Sequence, residues 1–253
     1  MLFGKNLNNK MHKSNTHARK IKIQDFWLPL LFAAIMWTVK IIEPEYSDFY
    51  KWGIYPRNPE SLIHIITAPF IHGSWNHLIN NTVPVLILGS VLFYFYKPVA
   101  VKIFFWIWLM SGLWLWALAR PSYHIGASGI VYGLASFIFF SGIFRKYYKL
   151  IAISLLVVFL YGSMIWGIFP LKKEISFEAH FYGFVAGLIL AYYFRKEGPQ
   201  KPVYEWELED DGDEEYEDGK PHPKEPHHHN PHVKVHYHIT KKNNDNNHTN
   251  LNQ

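Results

Sequence analysis

The sequence predicts an all-α, polytopic membrane protein with a six-helix membrane domain over residues 26–196 and disordered soluble tails. Three observations lead to this prediction. Residues 26–194 contain five apolar stretches of about 17–22 residues and a sixth that begins polar. Residues 1–194 hold 17 of the 25 Lys and Arg but only seven of the 20 Asp and Glu. Ten acidic residues are concentrated in Glu205–Asp218, so the two parts differ in physical character.

Residues 1–25 form a basic arm, because residues 1–24 are rich in Lys, Asn and His and contain no acid. Such a composition buries too little apolar surface to fold alone. The arm lacks the apolar run and the small-residue cleavage site of a signal peptide. We therefore expect the first membrane span to follow a solvated, cytoplasmic arm.

Six segments have the length and the apolar character of spanning helices, since about 20 residues cross a hydrocarbon core about 30 Å thick. Polar side chains interrupt the start of the second and of the sixth segment, where they need a functional reason. The predicted spans are Phe26–Ile42, Trp75–Tyr96, Val99–Ala119, Ile125–Phe144, Leu150–Phe169 and Phe177–Phe194.

Basic residues beside the spans predict their orientation. The N-terminal arm, the turn with Lys97 and Lys102, Arg145–Lys149 and Arg195–Lys196 alternate with less basic loops, so they share the cytoplasmic side. The long Glu43–Ser74 connection then lies on the outer side, although Lys172 and Lys173 oppose this rule. Its prolines and aromatic residues suit a loop that lies partly in the membrane interface.

Residues 197–253 are predicted to be a disordered cytoplasmic tail, with an acidic block followed by Pro-, His- and Asn-rich stretches. Its His227–His229 tract can bind divalent metal weakly, but an unstructured tail is the simpler interpretation. The chain has no cysteine, which excludes disulfides, thiolate metal sites and a cysteine nucleophile. Because no basic stripe is interleaved with stacking aromatic residues, nucleic acid is not an expected partner.

Polar residues converge at the outer ends of the even-numbered spans. His72, His77 and Asn81 lie at the start of span two, Ser128 at the start of span four, and His180 at the start of span six. Gly126 and Gly129 flank the serine, and a helix N-terminus can stabilise a developing oxyanion. A nucleophilic serine needs a base, and His180 is the histidine of span six at matching depth.

Small residues explain how the serine and the histidine could meet. Gly129 and Gly133 on span four, and Gly183 and Gly187 on span six, form two small-xxx-small faces that permit close helix approach. Tyr132 lies one turn after Ser128, where its ring could hold the imidazole. Glu178 lies near His180 but on another face, so a Ser-His dyad is predicted.

Span two supplies hydrogen-bond donors for an oxyanion. His77 and Asn81 are four residues apart and project from one helix face. Asn80 points about 100° away from that face, so Asn81 is the better candidate. No cofactor or catalytic metal is predicted.

These motifs together resemble the rhomboid intramembrane serine proteases. The matching patterns are His72-x4-His77-x3-Asn81, Gly126-x-Ser128-Gly129-x2-Tyr132-Gly133 and Ala179-His180-x2-Gly183-x3-Gly187. The resemblance covers residues 26–194. It implies a six-helix bundle with a water-filled cavity open to the outer face, and transmembrane proteins as substrates within the lipid bilayer.

The resemblance also implies residue roles. Ser128 would be the nucleophile, His180 the general base, and Tyr132 a support for that base. His77, Asn81 and the Ser128 N–H would stabilise the oxyanion, with His72 supporting them. A bacterial cytoplasmic membrane is the expected location.

Three other interpretations remain open. A catalytically inactive rhomboid relative that binds membrane proteins would lack the serine or the histidine. A small transporter would show internal repeats or charged groups at mid-depth. A metal site formed by His72, His77 and His180 would suit zinc, but it would leave the Gly-x-Ser-Gly pattern unexplained.

Overall fold

The computed structural model describes residues 26–43, 48–171 and 176–201, together with the short strands 216–217 and 220–221. Contacts divide the chain into two units, Met1–Pro202 and Val203–Gln253. The first unit is helical. Its α-helices are α1 (Trp27–Ile42), α2 (His64–Thr67), α3 (Trp75–Phe95), α4 (Lys97–Leu118), α5 (Ser128–Arg145), α6 (Tyr148–Tyr161) and α7 (Phe177–Tyr193).

Short 3-10 helices join these elements. They span Asp48–Trp52, Pro59–Ile63, Ala68–Phe70, Gly162–Ile168 and Phe194–Lys196. In the second unit, the described residues are two antiparallel two-residue strands, β1 (Tyr216–Glu217) and β2 (Lys220–Pro221). The predicted basic arm and the rest of the predicted tail beyond residue 201 lie outside the described residues.

Each of the six predicted segments contains one long α-helix, so the prediction of a helical membrane protein is confirmed. Three of these helices, α3, α4 and α5, are long and apolar enough to cross a membrane by length and composition. Shorter apolar helices, α1 and α6, accompany them. The fold is therefore that of a membrane helical bundle.

Glycine lies at irregular points in two of the predicted segments. The helix of the fourth segment begins at Ser128, as expected from the placement of that residue at a helix N-terminus, and Gly126 before it has a φ of +97° that no right-handed helix contains. The fifth segment is not one continuous α-helix. It changes at Gly162 into the 3-10 helix Gly162–Ile168, since glycine weakens an α-helix.

Helix α5 lies at the centre of the bundle and contacts α3, α4, α6 and α7, of which α7 makes the most extensive contact. The core around it is apolar and aromatic, with Leu88, Ile103, Phe104, Leu134 and Phe137 completely buried. Large apolar side chains on the outside of the bundle stay exposed, as expected of a surface that faces lipid. A central α5 can therefore carry a site that the other helices enclose.

The connection between α1 and α3 is attached to the bundle rather than free. The Trp108 indole N–H donates to the Ile65 carbonyl at 2.7 Å, and the Trp116 indole N–H donates to the Asn58 carbonyl at 2.9 Å. Ile54 pairs with His124 in an antiparallel bridge. These bonds tie the connection to α4 and to the turn that precedes α5.

Candidate active site

Ser128 is the first residue of α5 and is half-buried. Backbone N–H groups in a first helical turn lack acceptors within the helix, so they face outward with the positive end of the helix dipole. The turn before the serine is held by Gly126, whose N–H donates to the Ala68 carbonyl at 2.9 Å. The serine hydroxyl therefore stands beside donors suited to an anionic oxygen.

Helices α5 and α7 meet at their glycines. A side chain at Gly183 would collide with the Gly129 carbonyl, and one at Gly187 would collide with the Gly133 carbonyl. A Cβ atom at Gly129 would lie 3.2 Å from the Ala179 carbonyl oxygen. The residue after Ser128 thus touches the residue before His180, which brings the two predicted catalytic positions to the same point of the helix contact.

The His180 imidazole is held on two sides. Its Nδ1 lies 2.9 Å from the Gly167 carbonyl oxygen, and its ring stacks on Tyr132 with centroids 4.1 Å apart and planes 9° apart. A carbonyl can only accept, so Nδ1 carries the proton and the neutral ring keeps a lone pair on Nε2. That tautomer is the one a general base requires.

His77 and Asn81 lie against the turn that precedes Ser128. A Cβ atom at Gly126 would lie 2.7 Å from His77 Nε2 and 3.6 Å from Asn81 Nδ2. The Asn81 amide donates one bond to the His77 carbonyl at 3.0 Å and keeps a second N–H. Asn81 is buried whereas Asn80 is exposed.

A single cavity of about 610 Å³ joins these residues. Ser128, His180, His77, Asn81 and Tyr132 all line it. Asn80 and the connection between α4 and α5 also contribute to its wall. The structure thus brings five of the eight predicted site residues to one polar cavity, while Gly126 and Gly129 shape the backbone beside it.

His72 lies beside His77 and is completely buried. Its Nδ1 donates to the Phe70 carbonyl at 3.2 Å, and its ring lies edge-on to His77 at 5.0 Å. Burial, with a smaller contribution from His77, lowers the pKa of His72 to about 4. His72 is therefore a neutral imidazole that contacts the His77 ring.

The three histidines of the alternative metal site have other contacts. His72 and His180 each use Nδ1 on a backbone carbonyl, and His180 also stacks on Tyr132. Among the described residues, no group of three His, Cys, Asp or Glu has a geometry that could hold a metal ion.

Sequence reasoning missed several polar residues at the mouth of the cavity. His124 is buried and bonds to Ser176 and to the Arg120 carbonyl, and burial lowers its pKa. Arg120 pairs with the buried Glu178 at 3.2 Å. The Gly167 carbonyl, the acceptor for His180, was also missed, because a backbone group leaves no trace in residue spacing.

Comparison with known proteins gives the family of the chain. A family model, the Rhomboid domain, matches residues 59–197, more than half of the chain. The chain therefore belongs to the rhomboid family, whose members are generally intramembrane serine proteases. It is an integral membrane protein of that family.

Similar proteins occur in mycobacteria. The chain is 33% identical to the uncharacterized protein Rv1337 of Mycobacterium tuberculosis over 177 residues, which cover 64% of this chain and 72% of the relative. A protein of Mycobacterium bovis matches equally well. The uncharacterized protein ML1171 of Mycobacterium leprae is 28% identical over 178 residues, covering 64% of this chain and 68% of the relative.

Proposed function

We propose that this protein is an intramembrane serine endopeptidase that hydrolyses peptide bonds in or near transmembrane segments by a Ser128–His180 dyad. The observation that carries the proposal is the shared cavity, in which Ser128, His180, His77 and Asn81 face one space. Family membership gives the class of chemistry, and the residues of this chain give a route for each proton.

In the first step, the Ser128 hydroxyl oxygen attacks the scissile carbonyl carbon while its proton moves to His180 Nε2. The imidazolium that forms stays oriented by its Nδ1–H bond to Gly167 and by the Tyr132 ring. His180 then gives the proton to the leaving amine as the peptide bond breaks. An ester links Ser128 to the acyl part of the substrate.

In the second step, His180 takes a proton from water, which attacks the ester carbonyl. The proton returns to the Ser128 oxygen, and the carboxylic acid product leaves. In both steps the carbonyl oxygen becomes negative, and the Ser128 N–H, His77 and Asn81 donate hydrogen bonds to it. Glu178 takes no part in these transfers, because its carboxylate pairs with Arg120.

The proposed topology and substrates follow from the properties of the bilayer. Six spans, α1 and α3 to α7, place both termini in the cytoplasm, with the cavity open to the outer face of a bacterial cytoplasmic membrane. Water and polar groups below the headgroups are tolerated only inside a protein-lined cavity. Substrates are transmembrane proteins whose helix unwinds easily at its outer end, because small or helix-breaking residues weaken it there.

The test is covalent labelling by a fluorophosphonate probe in detergent, run beside cleavage of a model transmembrane substrate. Ser128→Ala is expected to abolish both readouts, and His180→Ala to abolish cleavage. Ser122→Ala is a matched control, because Ser122 lines the same cavity but does not begin a helix. It should keep both readouts.

Two outcomes would contradict the proposal. Labelling that survives in Ser128→Ala would place the nucleophile elsewhere. A folded wild-type protein that neither labels nor cleaves would favour a rhomboid relative that binds membrane proteins without cutting them.

The oxyanion assignment has its own matched pair. Asn81→Ala should lower turnover roughly 10- to 1000-fold, as removal of one oxyanion donor does. Asn80→Ala should do less, because Asn80 is exposed and lies off the His77 face. A larger effect of Asn80→Ala would reverse the assignment.

A further inference from the structure

His124 joins three separate parts of the membrane domain. Its backbone N–H donates to the Ile54 carbonyl at 2.9 Å and its carbonyl accepts from the Ile54 N–H at 3.0 Å. Its Nε2 lies 3.1 Å from the Arg120 carbonyl oxygen, and its Nδ1 lies 2.6 Å from Ser176 Oγ. The ring is only 2% exposed. The mechanism above does not use it.

The direction of each hydrogen bond follows from its acceptor. The Arg120 carbonyl can only accept, so His124 Nε2 carries the proton and the neutral ring has a lone pair on Nδ1. The Ser176 hydroxyl must then donate to Nδ1. Ser176 Oγ in turn accepts from the Ala179 N–H at 3.3 Å, which caps α7. One chain of bonds thus runs from the α4–α5 connection into the first turn of α7.

A second contact joins the same two segments. Arg120 Nε lies 3.2 Å from the Glu178 carboxylate, and its guanidinium lies 5.5 Å from the centre of the Phe177 ring. Glu178 is buried. The connection that ends in Ser128 is therefore fixed to the turn that carries His180 at two points.

We propose that His124 and Ser176 are positioning residues that set the distance between Ser128 and His180. The inference rests on the proposed function, since it assigns a role in the reaction of that dyad. His124 precedes Ser128 by four residues in sequence, and Ser176 precedes His180 by the same number. A bond between His124 and Ser176 consequently couples the approach of nucleophile and base, which must be accurate to a fraction of an ångström.

The test separates positioning from helix capping. Ser176→Gly removes the hydroxyl but keeps a residue that is favourable at an N-cap, whereas Ser176→Thr keeps the hydroxyl. His124→Phe keeps a ring and removes both nitrogens. Ser136→Ala is a distant control, because Ser136 bonds from α5 to the Phe184 carbonyl on α7 without touching the α4–α5 connection. Full-length protein in detergent is measured for kcat, KM, the rate of fluorophosphonate labelling and the thermal midpoint.

We expect Ser176→Gly and His124→Phe each to lower kcat and the labelling rate about 10- to 100-fold, with KM changed less than about threefold. The double variant should be no slower than the slower single variant, because each substitution already removes the His124–Ser176 bond. Ser176→Thr should restore kcat to within about threefold of wild type. Ser136→Ala should lower the thermal midpoint without lowering kcat.

Other results would overturn the inference. Wild-type kcat in folded Ser176→Gly, with a lower thermal midpoint alone, would reduce Ser176 to a helix cap. Losses that multiply in the double variant would show that the two residues act separately. Should His124→Phe fail to fold, the comparison of Ser176→Gly with Ser176→Thr still decides whether the Ser176 hydroxyl positions the dyad. A wild-type protein without labelling or cleavage would instead refute the proposed function, and this inference with it.

Discussion

Helix α5 has two neighbours of opposite character, α7 and α6. Against α7 it packs glycine on glycine, so that the backbones touch at Gly183 and Gly187. Against α6 the contact is less extensive: the Ser154 hydroxyl bonds to the Ile138 and Phe139 carbonyls at 3.1 and 2.9 Å, and a side chain at Gly142 would meet Ser154. Val157 on α6 is buried, whereas Phe159 is 85% exposed. Helix α7 is thus joined to α5 backbone to backbone, and α6 adjoins α5 with one face.

The difference matters because both neighbours contribute to the base. Helix α7 carries His180, while the 3-10 helix after α6 supplies the Gly167 carbonyl that orients it. Ser128 and His180 thus stand on the α5–α7 pair, whereas the acceptor that orients His180 comes from the side of α6. Substitutions at glycines of the two sides should therefore differ in effect.

The largest effect is expected for Gly183→Ala. The new methyl group would collide with the Gly129 carbonyl, a backbone group that cannot rotate away. We expect a loss of more than about 3 kcal/mol in unfolding free energy, above the usual range for overpacking. Thermal unfolding in detergent measures it.

Gly162→Ala is the matched control for that substitution. Among the described side chains, its methyl group would meet only Val158, at an ordinary 3.6 Å, so stability should change by less than about 1 kcal/mol. Equal losses in the two variants would refute the distinction between the two sides of α5.

Gly167→Ala should act on catalysis. Its methyl group would collide with the Tyr132 hydroxyl and lie 3.0 Å from His180 Nδ1, so the carbonyl that orients His180 must move. We expect kcat to fall about 10- to 100-fold, equivalent to about 1.4–2.7 kcal/mol. Steady-state cleavage of a model substrate measures it. Adding Tyr132→Phe removes the colliding oxygen and should recover part of the loss, and no recovery would place the strain elsewhere.

Gly142→Ala tests the attached side of α6. Its methyl group would meet the Ser154 hydroxyl, and the Leu150 carbonyl at 2.7 Å. Because the contact of α5 with α6 is less extensive than that with α7, we expect a loss of about 1–2 kcal/mol in unfolding free energy, smaller than for Gly183→Ala. A loss as large as that of Gly183→Ala would mean that α6 is held as firmly as α7.

The smallest effect is expected for Phe159→Ala. Its side chain is exposed on α6, so truncation creates no cavity in the core. The unfolding free energy in detergent should change by less than about 0.5 kcal/mol. Val157→Ala, a buried position on the same helix, should cost more, and the reverse order would indicate that α6 is rotated.

Sequence reasoning located the helices because the length of an apolar stretch can be counted directly in the sequence. It failed at Gly162, where the apolar pattern of the fifth segment continues but the α-helix changes into a 3-10 helix. Hydropathy is a sum over many residues, whereas a helix boundary depends on one.

The same contrast holds for the site. The spacing of four between His77 and Asn81, and between the glycines of each helix, is a property of helix geometry and can be read from the sequence. The bond from His124 to Ser176 spans 52 residues and depends on how two turns fold over each other. The Arg120–Glu178 pair is similarly distant in sequence. Such contacts produce no periodic pattern in the sequence.

Arg145, at the end of α5, binds the turn that follows α7. Its buried guanidinium donates to the carbonyls of Phe194 at 2.6 Å and Glu197 at 2.8 Å, and it lies over the Tyr96 ring at 5.3 Å. The last turn after α7 is thus anchored to the helix that carries the serine. A fluorescent reporter fused after Lys201 would follow a turn that is hydrogen-bonded to α5. Arg145 therefore makes this end of the domain suitable for genetic fusion.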